Sequence, residues 1–395
     1  MDLAHVKELE DRYVMPTYGR VPLLLERGKG VYVYSNDGKK YLDFITGIGV
    51  NALGHAHPRV MATIREQSKR LIHISNLFYN DYQARLAQRL AALSGMEKSF
   101  FTVGGAEAAE GAIKVVRALG QAIAPDKCEI VALSNSFHGR TCGALAITGQ
   151  PKYRAPFGPL LPGVHFVEAN NQAALAAAVS DRTCAIIIEP IQGEGGVFEI
   201  TPEFMAAAAR LAREHQASLI FDEIQCGLGR TGKPFAYQWT DIVPDVVITA
   251  KPIACGFPLG VLMARGAAAN ALGSGSHGTT FGGGPLACRL GLEFLDIIEQ
   301  ESLLENVRTQ GAALKEGMRK LASKHACVKE VRGRGLIVAM ELDRPAAPVF
   351  NHMLEMGVIA NVTHETVLRM LPPYIVDGKH VRQALRTLGK ALKKI

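Results

Sequence analysis

Between residues 99 and 265 the chain repeats one pattern: a short, unbroken apolar run followed by a stretch with helical spacing. The runs fall at 100–103, 129–133, 164–167, 185–188, 219–222, 246–249 and 260–263. Strands with one wet face alternate polar and apolar residues. Unbroken apolar runs instead mark strands covered on both faces, the condition of a mostly parallel sheet. Helical stretches such as 106–122 and 203–216 separate them. The second opens on Thr201-Pro202-Glu203, with threonine as the cap and proline at the first helical position. The pattern predicts an α/β chain built around a mostly parallel, seven-stranded sheet.

After Gly284 the pattern changes to long helices, 285–300 and 303–324, then strand-like pieces and a basic final helix. A chain of 395 residues exceeds one ordinary core of roughly 100–200 residues. The expected division is a large domain over 61–290 and a smaller α+β domain over 291–395, with residues 1–60 packing against the latter. The net charge is +7, from 44 basic and 37 acidic residues, and the basic ones are spread along the chain. Without a basic patch the charge gives no reason to expect a nucleic-acid partner. No apolar run approaches the ~20 residues of a membrane span. The acidic and basic mixture in residues 2–12 does not read as a signal peptide. Seven cysteines form no CxxC pair and no metal-ligand spacing, so a reduced, cytoplasmic setting without a bound metal is expected.

Gly227-Leu-Gly-Arg-Thr-Gly232 matches GxGxxG after a strand and nearly matches a P-loop. Both motifs need a helix starting at the last glycine, and Lys233-Pro234-Phe-Ala lacks that helix and the P-loop hydroxyl. A glycine-rich turn is the expectation. Three other strand ends carry chemistry together. Asp222-Glu-Ile-Gln225 closes one run with a carboxylate, Thr249-Ala-Lys251 closes another with an amine, and Gly104-Gly-Ala-Glu107 turns from a strand into a helix. Ligands of open parallel sheets bind beyond the carboxyl ends of the strands. A glycine turn at a helix start suits a phosphate, a desolvated lysine suits a Schiff base, and a buried Asp suits a protonated ring nitrogen. The combination suggests a pyridoxal-phosphate site.

These features sit among others that span nearly the whole chain. They include Tyr18, Leu42-Asp-Phe44, Asn51-Ala-Leu-Gly-His55, Phe137-His-Gly-Arg-Thr141 and Thr148-Gly-Gln-Pro-Lys-Tyr-Arg154. Glu189-Pro-Ile-Gln-Gly-Glu-Gly-Gly196, His277-Gly-Thr-Thr-Phe-Gly-Gly283, Leu368-Arg369 and Leu371-Pro-Pro373 follow. In this order they resemble the class III (ω-amino) aminotransferases, most closely the acetylornithine branch. The resemblance implies a fold type I pyridoxal-phosphate transferase that moves the ω-amino group of N-acetylornithine to 2-oxoglutarate, a step of arginine biosynthesis. The same chemistry on ornithine, succinyl-diaminopimelate, 4-aminobutyrate or an acylated lysine precursor stays open, as does an aminomutase.

The resemblance also implies roles for particular residues. Lys251 would carry pyridoxal 5′-phosphate covalently and move the substrate proton. Asp222 would pair with the ring nitrogen, Gln225 with the ring hydroxyl, and Phe137 would stack on the ring. Backbone N–H groups of Gly105 and Ala106 would hold the phosphate. Thr280 would reach it from a second copy of the chain, which implies a homodimer with shared active sites. Arg369 would grip the α-carboxylate of glutamate or 2-oxoglutarate, and Arg140 the other carboxylate or the α-carboxylate of an ω-amino substrate. Glu194 would neutralise Arg369 while an ω-amine is the donor, with Tyr18 and Thr279 lining the substrate pocket. His138 could support the cofactor or simply pack, while His55, His57 and His277 are expected to be structural. The chain departs from relatives at Val103-Gly104, Ala109, Pro252–Cys255 and Gly284, which bears on phosphate affinity and substrate more than on the chemistry.

Overall fold

A computed structural model of the chain describes residues 1–395. Its centre is a seven-stranded sheet in the order Lys98–Thr102, Gly260–Ala264, Val246–Thr249, Ser218–Asp222, Thr183–Ile188, Glu129–Leu133 and Val164–Val167. Only Gly260–Ala264 runs against its neighbours; every other pairing is parallel. All six residues of Thr183–Ile188 are buried, as are all five of Ser218–Asp222, so the unbroken apolar runs reflect cover on both faces.

The helix Gly105–Ile123 lays Ala108, Ala109, Ala112, Ile113 and Val116 on the sheet. Its small residues let helix and strands approach closely. At Gly120 a Cβ would stand 2.1 Å from the Lys127 carbonyl oxygen, so only glycine fits there. Proline and a threonine cap start the helix Pro202–Glu214, and Thr201 Oγ1 accepts from the Phe204 N–H at 3.2 Å. That helix stops two residues before the expected end because Gln216 turns to φ 49°.

Two further four-stranded sheets flank this core. Leu25–Lys29, Tyr32–Ser35 and Lys40–Asp43 form an antiparallel ribbon, to which Val358–Ile359 adds in parallel from far along the chain. Val328–Arg334, Ile337–Leu342, Val367–Met370 and Asn361–Thr363 form an antiparallel sheet packed against the helices Leu303–Ala322 and Ala347–Glu355, with Gly378–Leu392 lying on both helices. No helix is long and apolar enough to cross a membrane. Parallel order brings the carboxyl ends at Thr102, Leu133, Ile188, Asp222 and Thr249 to one edge of the central sheet, and the site lies there.

Candidate active site

A cavity of about 420 Å³ opens at that edge. Gly104, Gly105 and Ala106 line one side, Phe137, His138 and Arg140 a second, and Glu189, Glu194, Asp222, Gln225 and Lys251 a third. Each group arrives on the residue or loop that ends a strand, so the sheet sets their spacing.

The glycine turn forms the N-terminus of Gly105–Ile123, and Gly104 at the cap position offers no side-chain acceptor. Glu107 Oε2 reaches back to the Val103 N–H at 3.1 Å. That bond ends the strand at Thr102 and leaves the first-turn N–H groups facing the cavity. Such a helix start favours an anion through its free donors and its dipole. A Cβ on Gly105 would sit 2.7 Å from Ile224 Cδ1, so the turn is packed against the segment that carries Asp222.

Lys251 follows Val246–Thr249 with φ 38°, a conformation disfavoured for a residue with a Cβ. Burial pulls its amine below the ordinary lysine range, against the opposing charges of Glu194 and Asp222. A lysine held closer to neutrality is a better nucleophile than one on a helix surface.

Asp222 is 2% exposed and fully engaged on the protein side. Its Oδ1 accepts from the Ile224 N–H at 3.0 Å and its Oδ2 lies 2.7 Å from His138 Nδ1. The carboxylate fixes the tautomer: Nδ1 carries the proton and donates it. His138 Nε2 is buried with no partner in the protein. Next along the chain, the buried Glu223 accepts from the Ala236 and Tyr237 N–H groups, and burial pushes its carboxyl up to about 7. Phe137 is held through its N–H by Glu189 Oε2 at 2.9 Å, and the Arg140 guanidinium stacks on the Tyr153 ring at 3.8 Å.

Arg369 enters from Val367–Met370 and is 1% exposed. Its Nη1 donates to Glu194 Oε1 at 2.7 Å, Gln225 Oε1 at 3.0 Å and the Gly193 carbonyl at 2.9 Å, while Nη2 donates to Asn361 Oδ1 at 2.6 Å. Gln225 Nε2 also donates to Glu194 Oε1 at 3.1 Å. Burial raises the Glu194 carboxyl, but the charge and hydrogen bond of Arg369 outweigh it and leave the group below its ordinary range.

Of the residues singled out in the sequence, Lys251, Asp222, Gln225, Gly105, Ala106, Phe137, Arg140 and Glu194 line this cavity, and Arg369 stands behind it on Gln225 and Glu194. The chain does not bring the other three into it. Thr280 is exposed, Thr279 bonds Glu107 Oε2 at 3.3 Å, and Tyr18 is 76% exposed on the N-terminal segment. Sequence reasoning missed Asn361, which lacks any motif, and Glu189, which it read only as part of a string. His55 bonds the Asp43 carboxylate at 2.8 Å, and His277 sits between Lys114 and the Phe100 ring. Residues 227–232 form a turn and no helix begins at Gly232, the next being the short 3-10 turn Ala236–Trp239; Arg230 in the turn donates to the carbonyls of Leu336 and Pro372.

A family model described as aminotransferase class-III matches residues 13–392. The chain is 43% identical to an acetylornithine aminotransferase of Methanocaldococcus jannaschii, over 98% of each chain. It is 44% identical to acetylornithine aminotransferase 1 of Bordetella pertussis, over 95% of this chain and 96% of the relative. Among solved structures, the ornithine aminotransferase of Toxoplasma gondii superposes with a TM-score of 0.96 at 32% identity, covering 100% of this chain and 96% of that one. A second structure of that enzyme is described with partial occupancy of PLP at its active site. The acetylornithine aminotransferase of Elizabethkingia anophelis gives 0.89 at 28% identity, with 100% of both chains covered. The arrangement at the sheet edge and the match over residues 13–392 together place the chain in the class III aminotransferase family.

Proposed function

We propose that the protein is a pyridoxal-phosphate enzyme that transfers the ω-amino group of N-acetylornithine to 2-oxoglutarate, giving N-acetylglutamate semialdehyde and glutamate. The observation that carries the reading is the grouping of Lys251, Asp222 and the uncapped helix start at Gly104–Ala106 around one cavity. The donor set fits the cofactor chemically. The helix start offers N–H groups for a phosphate, Asp222 an anion for a pyridinium, and Lys251 an amine for an aldehyde. When bound, pyridoxal phosphate supplies a ring that accepts electrons and an aldehyde carbon that takes up amino groups.

The chain's own residues do the rest. Lys251 takes a proton from the substrate carbon and returns it, helped by burial that keeps its amine low. Asp222, fixed by His138 and the Ile224 N–H, keeps a negative charge aimed into the site. Phe137 bounds the ring-sized space, and its N–H is anchored so that the wall does not drift. Arg369 is positioned as a carboxylate fork. With Glu194 on Nη1 its charge is matched, which favours a donor that presents an amine instead of a second carboxylate. Movement of Glu194 frees Arg369 for the α-carboxylate of glutamate or 2-oxoglutarate. Arg140, exposed at the mouth, takes the remaining carboxylate.

A homodimer belongs to the same proposal. Leu77, Phe78, Tyr79 and Phe281 are 64–107% exposed. Asn76 donates to the carbonyls of Thr279 and Gly282, so this apolar surface adjoins the loop of Thr279 and Thr280. A second copy seated there brings Thr280 to its neighbour's phosphate site and Tyr18 to a substrate pocket. The setting proposed is the cytoplasm, where seven free cysteines stay reduced.

The test is to purify the protein, look for an absorption band that borohydride fixes, and assay ω-amino donors against 2-oxoglutarate. Lys251→Ala should remove the band and lower transfer by at least ~10²–10⁴-fold. Full transfer activity in that variant sinks the mechanism. Preference for free ornithine or 4-aminobutyrate leaves the mechanism standing and overturns the substrate.

A further inference from the structure

Three carboxyl groups face one cavity, and they are not equivalently partnered. Glu194 has the Arg369 guanidinium and the Gln225 amide. Asp222 has His138 Nδ1 and the Ile224 N–H. Glu189, 5% exposed at the end of Thr183–Ile188, has the Phe137 N–H and no cation within ion-pair distance. Glu189 alone of the three has neither a cation nor a side-chain donor, and an isolated buried carboxylate is costly.

We propose that Glu189 sits in the site as a neutral carboxylic acid, a positioning residue that fixes Phe137 without adding negative charge beside Asp222 and Lys251. Burial and the neighbouring carboxylates act in that direction, against Lys251 and the Phe137 N–H. Asp222 ends the neighbouring strand and Glu194 follows in the next turn, so two carboxylates disfavour another anion. Lys251, beyond Val246–Thr249, is the cation that opposes them, while Arg369 is occupied by Glu194. Burial first, then the Asp222 charge, push the Glu189 carboxyl well above its ordinary range. The consequence for the reaction is specificity of charge. Asp222 remains the single anion aimed at the cofactor nitrogen, and Lys251 can be neutral without an unpaired carboxylate at its side.

The inference rests on the cofactor reading above, and its test separates the two. Glutamine copies a neutral acid: its oxygen accepts the Phe137 N–H and it carries no charge. Alanine removes both. E189Q should keep the cofactor dissociation constant within about threefold of wild type, and E189A should raise it about tenfold or more, the scale of a buried N–H left without its acceptor. The infrared difference between wild type and E189Q at neutral pH, recorded on cofactor-loaded and cofactor-free protein, should show one protonated carboxyl stretch lost. The same comparison in an E223Q background removes the signal of Glu223. If E189Q fails to fold, a protonated carboxyl stretch in the E223Q protein that persists above pH 6 keeps the proposal, and its absence overturns it. Loss of a carboxylate stretch in E189Q, or loosening of the cofactor as far as in E189A, makes Glu189 an ion and the proposal wrong. Absence of any Lys251-dependent absorption band in wild type overturns the cofactor reading instead, and the infrared result on cofactor-free protein still decides the state of Glu189.

Discussion

Arg369 Nη1 donates to Glu194 Oε1 at 2.7 Å, joining a 1% exposed guanidinium to a carboxylate with a 24% exposed side chain. The arginine is locked by Asn361 and Gly193, whereas Glu194 stands on a glycine-rich turn and is held by Gln225. The guanidinium is the enclosed partner and the carboxylate the more exposed one.

Removing Glu194 should therefore leave the buried guanidinium without its counter-ion. Glu194→Ala should lower the stability of the ligand-free protein by about 3–5 kcal/mol, the cost of a buried ion that loses its partner. Saturating 2-oxoglutarate should restore much of it, because a substrate carboxylate then pairs with Arg369. Thermal melts with and without 2-oxoglutarate measure both, and steady-state kinetics should show a lower KM for the oxo acid with a poorer ω-amine half-reaction. A variant whose melting point ignores 2-oxoglutarate would speak against Arg369 as the carboxylate site.

Asp222 and His138 form the second buried pair, 2.7 Å apart. Asp222→Asn preserves shape and removes the charge, so kcat should fall about 10²-fold or more, as for a lost preorganised electrostatic contact. His138→Ala acts only through Asp222 and should cost about tenfold. The double variant should be no worse than Asp222→Asn alone, since the two act as one unit. Additive losses would show that His138 works independently.

Gly105 tests the phosphate cradle. In Gly105→Ala the new methyl carbon meets Ile224 Cδ1 at 2.7 Å, which forces the helix start away from the Asp222 segment. Overpacking of this kind costs about 1–3 kcal/mol, so cofactor affinity should drop about tenfold or more. Adding Ile224→Val removes the clashing carbon and should recover part of the loss. Affinity measured by fluorescence titration decides it.

Glu223 makes the stability of the fold depend on pH. Its carboxyl is raised from 4.5 to about 7 by burial, so the folded state holds a proton that the unfolded chain gives up earlier. The stability this contributes is complete below about pH 4.5 and disappears as pH rises through 7, a loss of about 3 kcal/mol. Glu223→Gln cannot ionise. It should be less stable by about 1–2 kcal/mol, from one weakened N–H contact, and flatter between pH 5 and 8. Urea unfolding across that range gives both numbers. An unchanged slope would mean that another group carries it.

Much of the central sheet was legible because burial on both faces leaves a local mark. Runs such as 219–221 and 246–248 are apolar at every position, and Asp222 and Lys251 follow just beyond them. The apolar run 100–103 reaches one residue past the strand Lys98–Thr102, because the bond from Val103 to Glu107 that ends the strand is a side-chain contact, invisible to apolar patterning. Lys251, Asp222 and the Gly104–Gly105 turn were legible for a related reason: in a parallel sheet, strand ends converge, so position along the chain already implies proximity.

What the sequence determined by itself is therefore the kind of chemistry: an amine, a carboxylate and an anion-binding turn at the same edge of an α/β sheet. Tertiary structure alone decided how those groups are tuned. That Gln225 and Asn361 hold Arg369, that His138 backs Asp222, and that Glu189 has no counter-ion depend on contacts between residues as far as 176 apart, as for Arg369 and Gly193. Apolar periodicity is written locally, because each strand or helix must bury its own face. Charge balance in a cavity is a property of the assembled walls, since burial and opposing charge arise only when distant segments meet.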